Sequence, residues 1–199
     1  MNGRRTTINT EKLVLASILT AIVVVLQVIA LVTRAVLPMF AINLVLIPIV
    51  IGAAIGGIKL GAWLGFVSGV AILCTDAASF FVVSIIGTIL TVLIKGVASG
   101  LAAAGVYKLL EKKNKYAAVI CAAVVCPIVN TGVFILGCLA FFMDTIKGWG
   151  AAAGFDNAFA FIFIGLIGIN FIIELVINVV LSPTVLKLLE IRNKERNTK

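Results

Sequence analysis

Histidine is missing from all 199 residues, and only 8 residues are acidic. The first absence removes imidazole ligands and imidazole bases, and with them the usual histidine-dependent chemistry of intramembrane and zinc proteases. The second leaves Asp76, Asp144 and Asp156 dispersed along the chain, whereas a membrane transferase that works through metal ions needs its acids clustered. Charge of either sign is scarce, at 12% of residues against 62% hydrophobic. Four cysteines, Cys74, Cys121, Cys126 and Cys138, lack any Cys-x-x-Cys spacing and read as packing thiols. The closest approach to a phosphate-binding loop, GAAIGGIK at 52–59, has Ile58 between glycine and lysine and no hydroxyl after it. No nucleotide, metal or other cofactor is expected on this chain, and none of its residues is expected to be catalytic.

What remains is apolar sequence. A mean hydropathy of +1.25 demands lipid as solvent. Hydrocarbon admits only helices or closed barrels, and these runs are too long and too continuous for the alternating strands of a barrel. The expected fold is an all-α membrane protein, a bundle of six transmembrane helices over 12–33, 41–58, 60–74, 80–107, 117–143 and 158–188. The third run is short for a crossing, which takes about 20 residues. The first is longer than a signal-peptide core and lacks a small-residue cleavage site, so it is expected to be retained.

Net charge is +8, yet the basic residues lie between and beyond the apolar runs rather than massed on one soluble face, which argues against nucleic acid. Nearly all of them, Lys12, Lys59, Lys108, Lys112, Lys113, Lys115 and Lys187 among them, fall on one side of the expected bundle, with Arg34 and Lys147 on the other. The positive-inside rule therefore puts both termini in the cytoplasm. Residues 1–199 read as a single integral membrane domain, with 1–11 and 189–199 as short cytoplasmic tails. The outer connection 143–157 is expected to be a loop, serving either as a lid over a pocket or as an interfacial anchor through Trp149.

Ionisable residues inside apolar runs are expensive and mark function. Lys95 lies deep in the fourth run and Glu174 deep in the sixth, at similar depth. Asn170, Glu174 and Asn178 share one helical face, and Asn130 with Thr131 projects from the fifth run. Three helices thus offer polar groups to one interior. Lys95 and Glu174 either contact a ligand or pair with each other, and a buried pair is a poor stability device. Asp76 either caps the fourth helix or lines the pocket mouth. Pro48 and Pro127 are read as helix breaks, beside a ligand or as simple kinks. Phe80, Phe81, Phe141, Phe142, Phe155 and Phe159 gather at the outer ends, to wall an aromatic ligand or face lipid. Glycines 57, 61, 65 and 69, with 96 and 100, recur every four residues and are expected to let helix backbones touch. Ser17 and Ala21 form another small pair near the cytoplasmic end.

Over essentially its whole length the chain resembles the substrate-binding S components of energy-coupling factor (ECF) transporters for vitamins. The resemblance rests on KLVLASILTAIVVVLQ after a short basic N-terminus, NLVLIPIVIGAAIGGIKLGAWLGFVSG, LIKGVASGLAAAGVYKLLEKK, and six runs in this order. It implies high-affinity capture, outside a prokaryotic cell, of a small water-soluble vitamin or precursor. A membrane coupling (T) subunit and two ATPase subunits then drive its delivery, with toppling of this chain in the bilayer. The pocket would lie among helices four to six, in agreement with Lys95, Asn130, Asn170 and Glu174, beneath the connection 33–40. Ser17 and Ala21 match the family's Ala-x-x-x-Ala element that contacts the coupling subunit, with Ser in place of the first Ala. Riboflavin, pantothenate, thiamine or its pyrimidine precursor, and pyridoxine all remain open as ligands. The competing readings are a stand-alone secondary transporter with Glu174 as proton site, and an integral membrane transferase.

Overall fold

The computed structural model describes residues 10–36 and 44–197, and among them every regular element is helical. Helix α1 (Thr10–Val36) is followed by α2 (Leu46–Thr75), a single turn α3 (Ala78–Phe81), α4 (Ile85–Leu110) and α5 (Lys115–Phe141). Then come α6 (Met143–Ala152), a single turn α7 (Ala158–Ala160) running into a π-helical segment Phe161–Ile167, and α8 (Gly168–Asn197). Five stretches are long and apolar enough to cross a membrane: Lys12–Ala35, Leu46–Thr75, Ile85–Leu110, Lys115–Phe141 and Ala158–Ile191. Large aliphatic side chains such as Val25, Val32, Ile94, Leu136 and Val180 stand outward all around, as lipid-facing positions must.

The second and third expected runs are the two helical arms of α2, and the break between them falls at Gly57 (φ 74°, ψ −162°) rather than at Lys59. That φ favours glycine because it has no Cβ to clash. The chain folds back sharply there: a Cβ on Gly61 would stand 3.2 Å from the Cβ of Ala53, whereas residues eight apart on a straight helix are separated by about 12 Å. Pro48 breaks nothing, contrary to the sequence reading. It sits in the first turn of α2, where a missing N–H has no intrahelical partner to lose.

Past this reversal, α2 packs along α4 at backbone contact. A Cβ on Gly65 or Gly96 would overlap the carbonyl oxygen of the other, and one on Gly61 would meet the Gly100 oxygen at 2.7 Å. The every-fourth glycine pattern is therefore an α2–α4 seam, which bare backbones require where lipid supplies no hydrophobic push. Around it lies the larger apolar core: Leu19 and Val23 of α1, Leu46, Ile49, Val50, Ala53 and Leu64 of α2, Ala103, Ala104 and Tyr107 of α4, Ala118, Val119, Ala122 and Cys126 of α5, and Val185, Leu186 and Leu189 of α8. A smaller cluster of Cys138, Phe142, Ile146, Ala158 and Ile162 closes the other end.

Two connections differ from expectation. The fourth helix begins at Ile85 rather than Phe80, and its cap is Ser84, whose Oγ accepts from the Gly87 N–H at 3.1 Å. Asp76 is not that cap; it terminates α2, its own N–H donating to the Ile72 carbonyl. The outer connection is also no loop, since Met143–Ala152 is a helix whose Ile146 and Gly150 are buried. Its Trp149 ring packs edge-on to Phe80, centroids 5.5 Å apart.

Candidate functional site

Along α5 the residues between the two apolar clusters are Asn130, Thr131 and Phe134, and there the bundle opens into a cavity of about 340 Å³. That size suits a small organic molecule. Helix α4 contributes Thr88, Thr91, Val92 and Lys95, spaced so that one face turns inward. The last helix contributes Asn170, Phe171 and Glu174, and α1 contributes Gln27, Ala30 and Arg34. Asp76, Ala77 and Phe80 complete the wall from the connection after α2.

All four residues expected to form a pocket, Lys95, Asn130, Asn170 and Glu174, line this one cavity. Asn130 is buried at 6% exposure, and Lys95 Nζ stands 5.1 Å from the centroid of the Phe134 ring, close enough for a cation–π attraction. Asn178 does not line the cavity; its Nδ2 instead donates 2.8 Å to the Glu174 carbonyl. Of the outer phenylalanines, Phe80 and Phe142 face the cavity and meet edge-on at 5.0 Å, while Phe141 and Phe159 are exposed. Thr91 Oγ1 and Asn170 Oδ1 are buried without a hydrogen-bond partner among the described residues. Buried polar atoms are normally satisfied, so these two leave hydrogen-bonding capacity open in the cavity wall, to water or to a guest.

The last helix reaches the cavity through irregular backbone. The π-helical turn Phe161–Ile167 ends at Gly168 (φ 36°, ψ −136°), and Gly165, Leu166 and Ile167 line the wall beside Asn170. Such turns interrupt the helical ladder and recur at functional sites. Pro127 lies inside α5 one turn before Asn130, and the helix continues through it. Sequence reasoning did not find this turn, although the glycine pair Gly165 and Gly168 inside FIFIGLIG was its signal.

Arg34, Gln27, Thr88 and Thr91 also escaped notice. Gln27 is the chain's one glutamine, in the middle of the first apolar run. It is buried and donates from Nε2 to Thr75 Oγ1 at 2.9 Å, and that hydroxyl donates on to the Ala71 carbonyl. Arg34 forms an ion pair through Nη1 with Oδ1 of Asp76. The connection 33–40 expected to cover the pocket lies, from residue 37 onward, outside the described residues.

Ser17 and Ala21 lie apart from this cavity. Both are exposed on α1 and line an open groove with Thr20, Trp63, Ala104 and Tyr107 near the chain's basic end. The Ser17 hydroxyl donates to the Leu13 carbonyl at 3.0 Å, so it presents no free donor of its own. Trp63 Nε1 donates to Thr20 Oγ1 at 3.0 Å and ties α1 to α2.

An all-helical bundle with several membrane-length apolar helices and a partly polar cavity between them is a multi-pass membrane protein. A family model, that of the ECF transporter substrate-specific component, matches residues 11–186, and the chain belongs to that family. Membership makes it a transport component rather than an enzyme, with a small-molecule substrate and with membrane and ATPase partners. No curated protein and no solved structure matches the chain.

Proposed function

We propose that the chain is the high-affinity substrate-binding subunit of an ECF-type importer in a prokaryotic plasma membrane. It takes a small water-soluble vitamin or vitamin precursor from outside and passes it inward with a coupling subunit and two ATPases. The observation that carries this reading is the convergence of Lys95, Asn130, Asn170 and Glu174 from three helices on one cavity, beside the unpaired Thr91 Oγ1 and Asn170 Oδ1. A charged amine, a carboxylate and two amides can grip a polar heterocycle through directed hydrogen bonds, while Phe80, Phe134, Phe142 and Phe171 cover its faces.

Both arms of α2 count as crossings in this reading, giving six helices with the Lys-rich ends and both termini in the cytoplasm. The cavity then opens outward, at the end where Arg34 and Asp76 stand. Ser17 and Ala21, at the opposite end, supply the smooth surface for the coupling subunit. Mass spectrometry of small molecules co-purifying with the detergent-solubilised protein identifies the substrate, because nanomolar affinity, about 12 kcal/mol, survives purification. Affinity for that compound is then measured in Glu174→Gln, Asn130→Ala and Lys95→Met. Weakened binding supports the site, and unchanged affinity in all three removes it.

A further inference from the structure

Arg34 carries the observation that the proposed function does not use. Its Nη1 is engaged by Asp76, yet its Nε is buried and has no hydrogen-bond partner among the described residues. Both side chains line the cavity, Asp76 at 14% side-chain exposure and Arg34 at 36%. A guanidinium is a planar fork whose donors lie along two usable edges, and it cannot shed its proton. With Nη1 held by a carboxylate, the edge formed by Nε and Nη2 is the one left to accept a guest. A buried N–H in that position stays unsatisfied until an acceptor arrives.

We propose that Arg34 is the carboxylate-recognising residue of this cavity, positioned by Asp76, and that the substrate is a small carboxylic acid with a planar apolar body. The inference deepens the binding reading above and rests on it. A carboxylate matches the Nε and Nη2 donors in two parallel hydrogen bonds, a geometry that a lone ammonium cannot offer. Lys95 adds a second positive charge to the same cavity, while Asp76 and Glu174 are its acids. Asp76 is already committed to Nη1, which fixes the plane of the fork instead of competing for its free edge. The aromatic walls formed by Phe80, Phe134 and Phe142 take the body of the guest; the Phe80 and Phe134 rings lie edge-on, centroids 5.9 Å apart.

Benzoate and benzamide test this, being alike in shape and different in charge. Their dissociation constants are measured by ligand-observed NMR on the detergent-solubilised full chain, with thermal unfolding confirming that each variant is folded. For the unaltered protein, benzoate is expected to bind about tenfold more tightly than benzamide, as a two-bond charge-assisted contact implies. Arg34→Gln should erase that preference by weakening benzoate about tenfold more than benzamide. Arg34→Lys should restore only part of it, because a point charge lacks the fork. Asp76→Asn should reduce the preference, weakening benzoate more than benzamide. Equal affinity of the two probes, or a preference that survives Arg34→Gln, overturns the role of Arg34 provided both probes are displaced by Asn130→Ala. Failure of either probe to bind, or binding indifferent to Asn130→Ala, overturns the cavity as binding site and this inference with it.

Discussion

Helix α4 serves two regions of the molecule by opposite rules. Through Gly96 and Gly100 it lies against α2 so closely that carbonyl oxygens occupy the space a Cβ would need. Toward its other end Thr88, Thr91 and Lys95 stand around open space. The seam holds together through the absence of side chains, and the cavity exists because bulky and polar side chains hold helices apart. Helices in lipid lack a hydrophobic drive toward one another, so close backbone packing at the seam is what holds α2 against α4.

The sharpest way to break that contrast is to put a side chain into the seam. Gly96→Leu introduces a group where even a Cβ overlaps the Gly65 carbonyl, and backbone cannot step aside as a flexible side chain does. Overpacking costs about 1–3 kcal/mol where neighbours can adjust, and here they cannot, so loss of the folded monomer is expected. Size-exclusion chromatography and thermal unfolding in detergent read the result. A Gly96→Leu variant that is folded and retains its melting temperature contradicts the account of the seam.

Next in size are the changes confined to the cavity. Glu174→Gln and Asn130→Ala each should weaken binding of the co-purified compound by about ten- to a hundredfold, the range for losing a charge-assisted or buried hydrogen bond. Neither should move the melting temperature of the empty protein as far as Gly96→Leu does. Isothermal titration beside thermal unfolding separates the two regions. A cavity variant that melts early yet binds normally would place Glu174 or Asn130 with the seam, as a structural element.

These two regions were unequally readable in the sequence. Lys95, Glu174, Asn130 and Asn170 stood out because a polar residue in an apolar run has no cheap alternative to facing an interior. Glycines every fourth residue announced the seam for a similarly local reason. Asp76 was a candidate for the pocket mouth, but Arg34 did not stand out beside it, because it lies at the end of an apolar stretch, where charge is ordinary. Their pairing joins residues from α1 and the end of α2, and no local pattern encodes it. Gly148, Gly150 and Gly154 made the connection 143–157 look like a loop, while Ile146 and Phe142, buried together, hold α6 as a helix. The reversal at Gly57 was placed two residues late because Lys59 is the more conspicuous break in hydropathy, although left-handed backbone selects the glycine.

A smaller effect is expected where the seam's end meets the surface. Ala21→Leu adds bulk to the exposed face of α1 that borders the groove with Trp63 and Tyr107. Binding of the co-purified compound and the melting temperature should stay as they were, since Ala21 touches neither cavity nor core. Co-purification with the coupling and ATPase subunits should fall severalfold, because small residues are what allow helices to approach. Retention of the full complex, checked by affinity capture through a tagged ATPase, would move the docking surface elsewhere on the chain.

The smallest effect is the strictest test of whether the seam depends on position or merely on glycine content. Gly105 lies on α4 five residues beyond Gly100, yet an added Cβ there meets nothing within 4 Å. Alanine removes backbone freedom from the unfolded chain and favours the helix by up to about 1 kcal/mol relative to glycine. Gly105→Ala should therefore leave the melting temperature unchanged or raise it by a few degrees, with substrate affinity untouched. Gly100→Ala, on the same helix, inserts the same methyl group against the Gly61 carbonyl and should lower it. Opposite signs from one chemical change would attribute the seam to backbone contact alone, whereas equal losses at both positions would mean that α4 needs its glycines for flexibility instead.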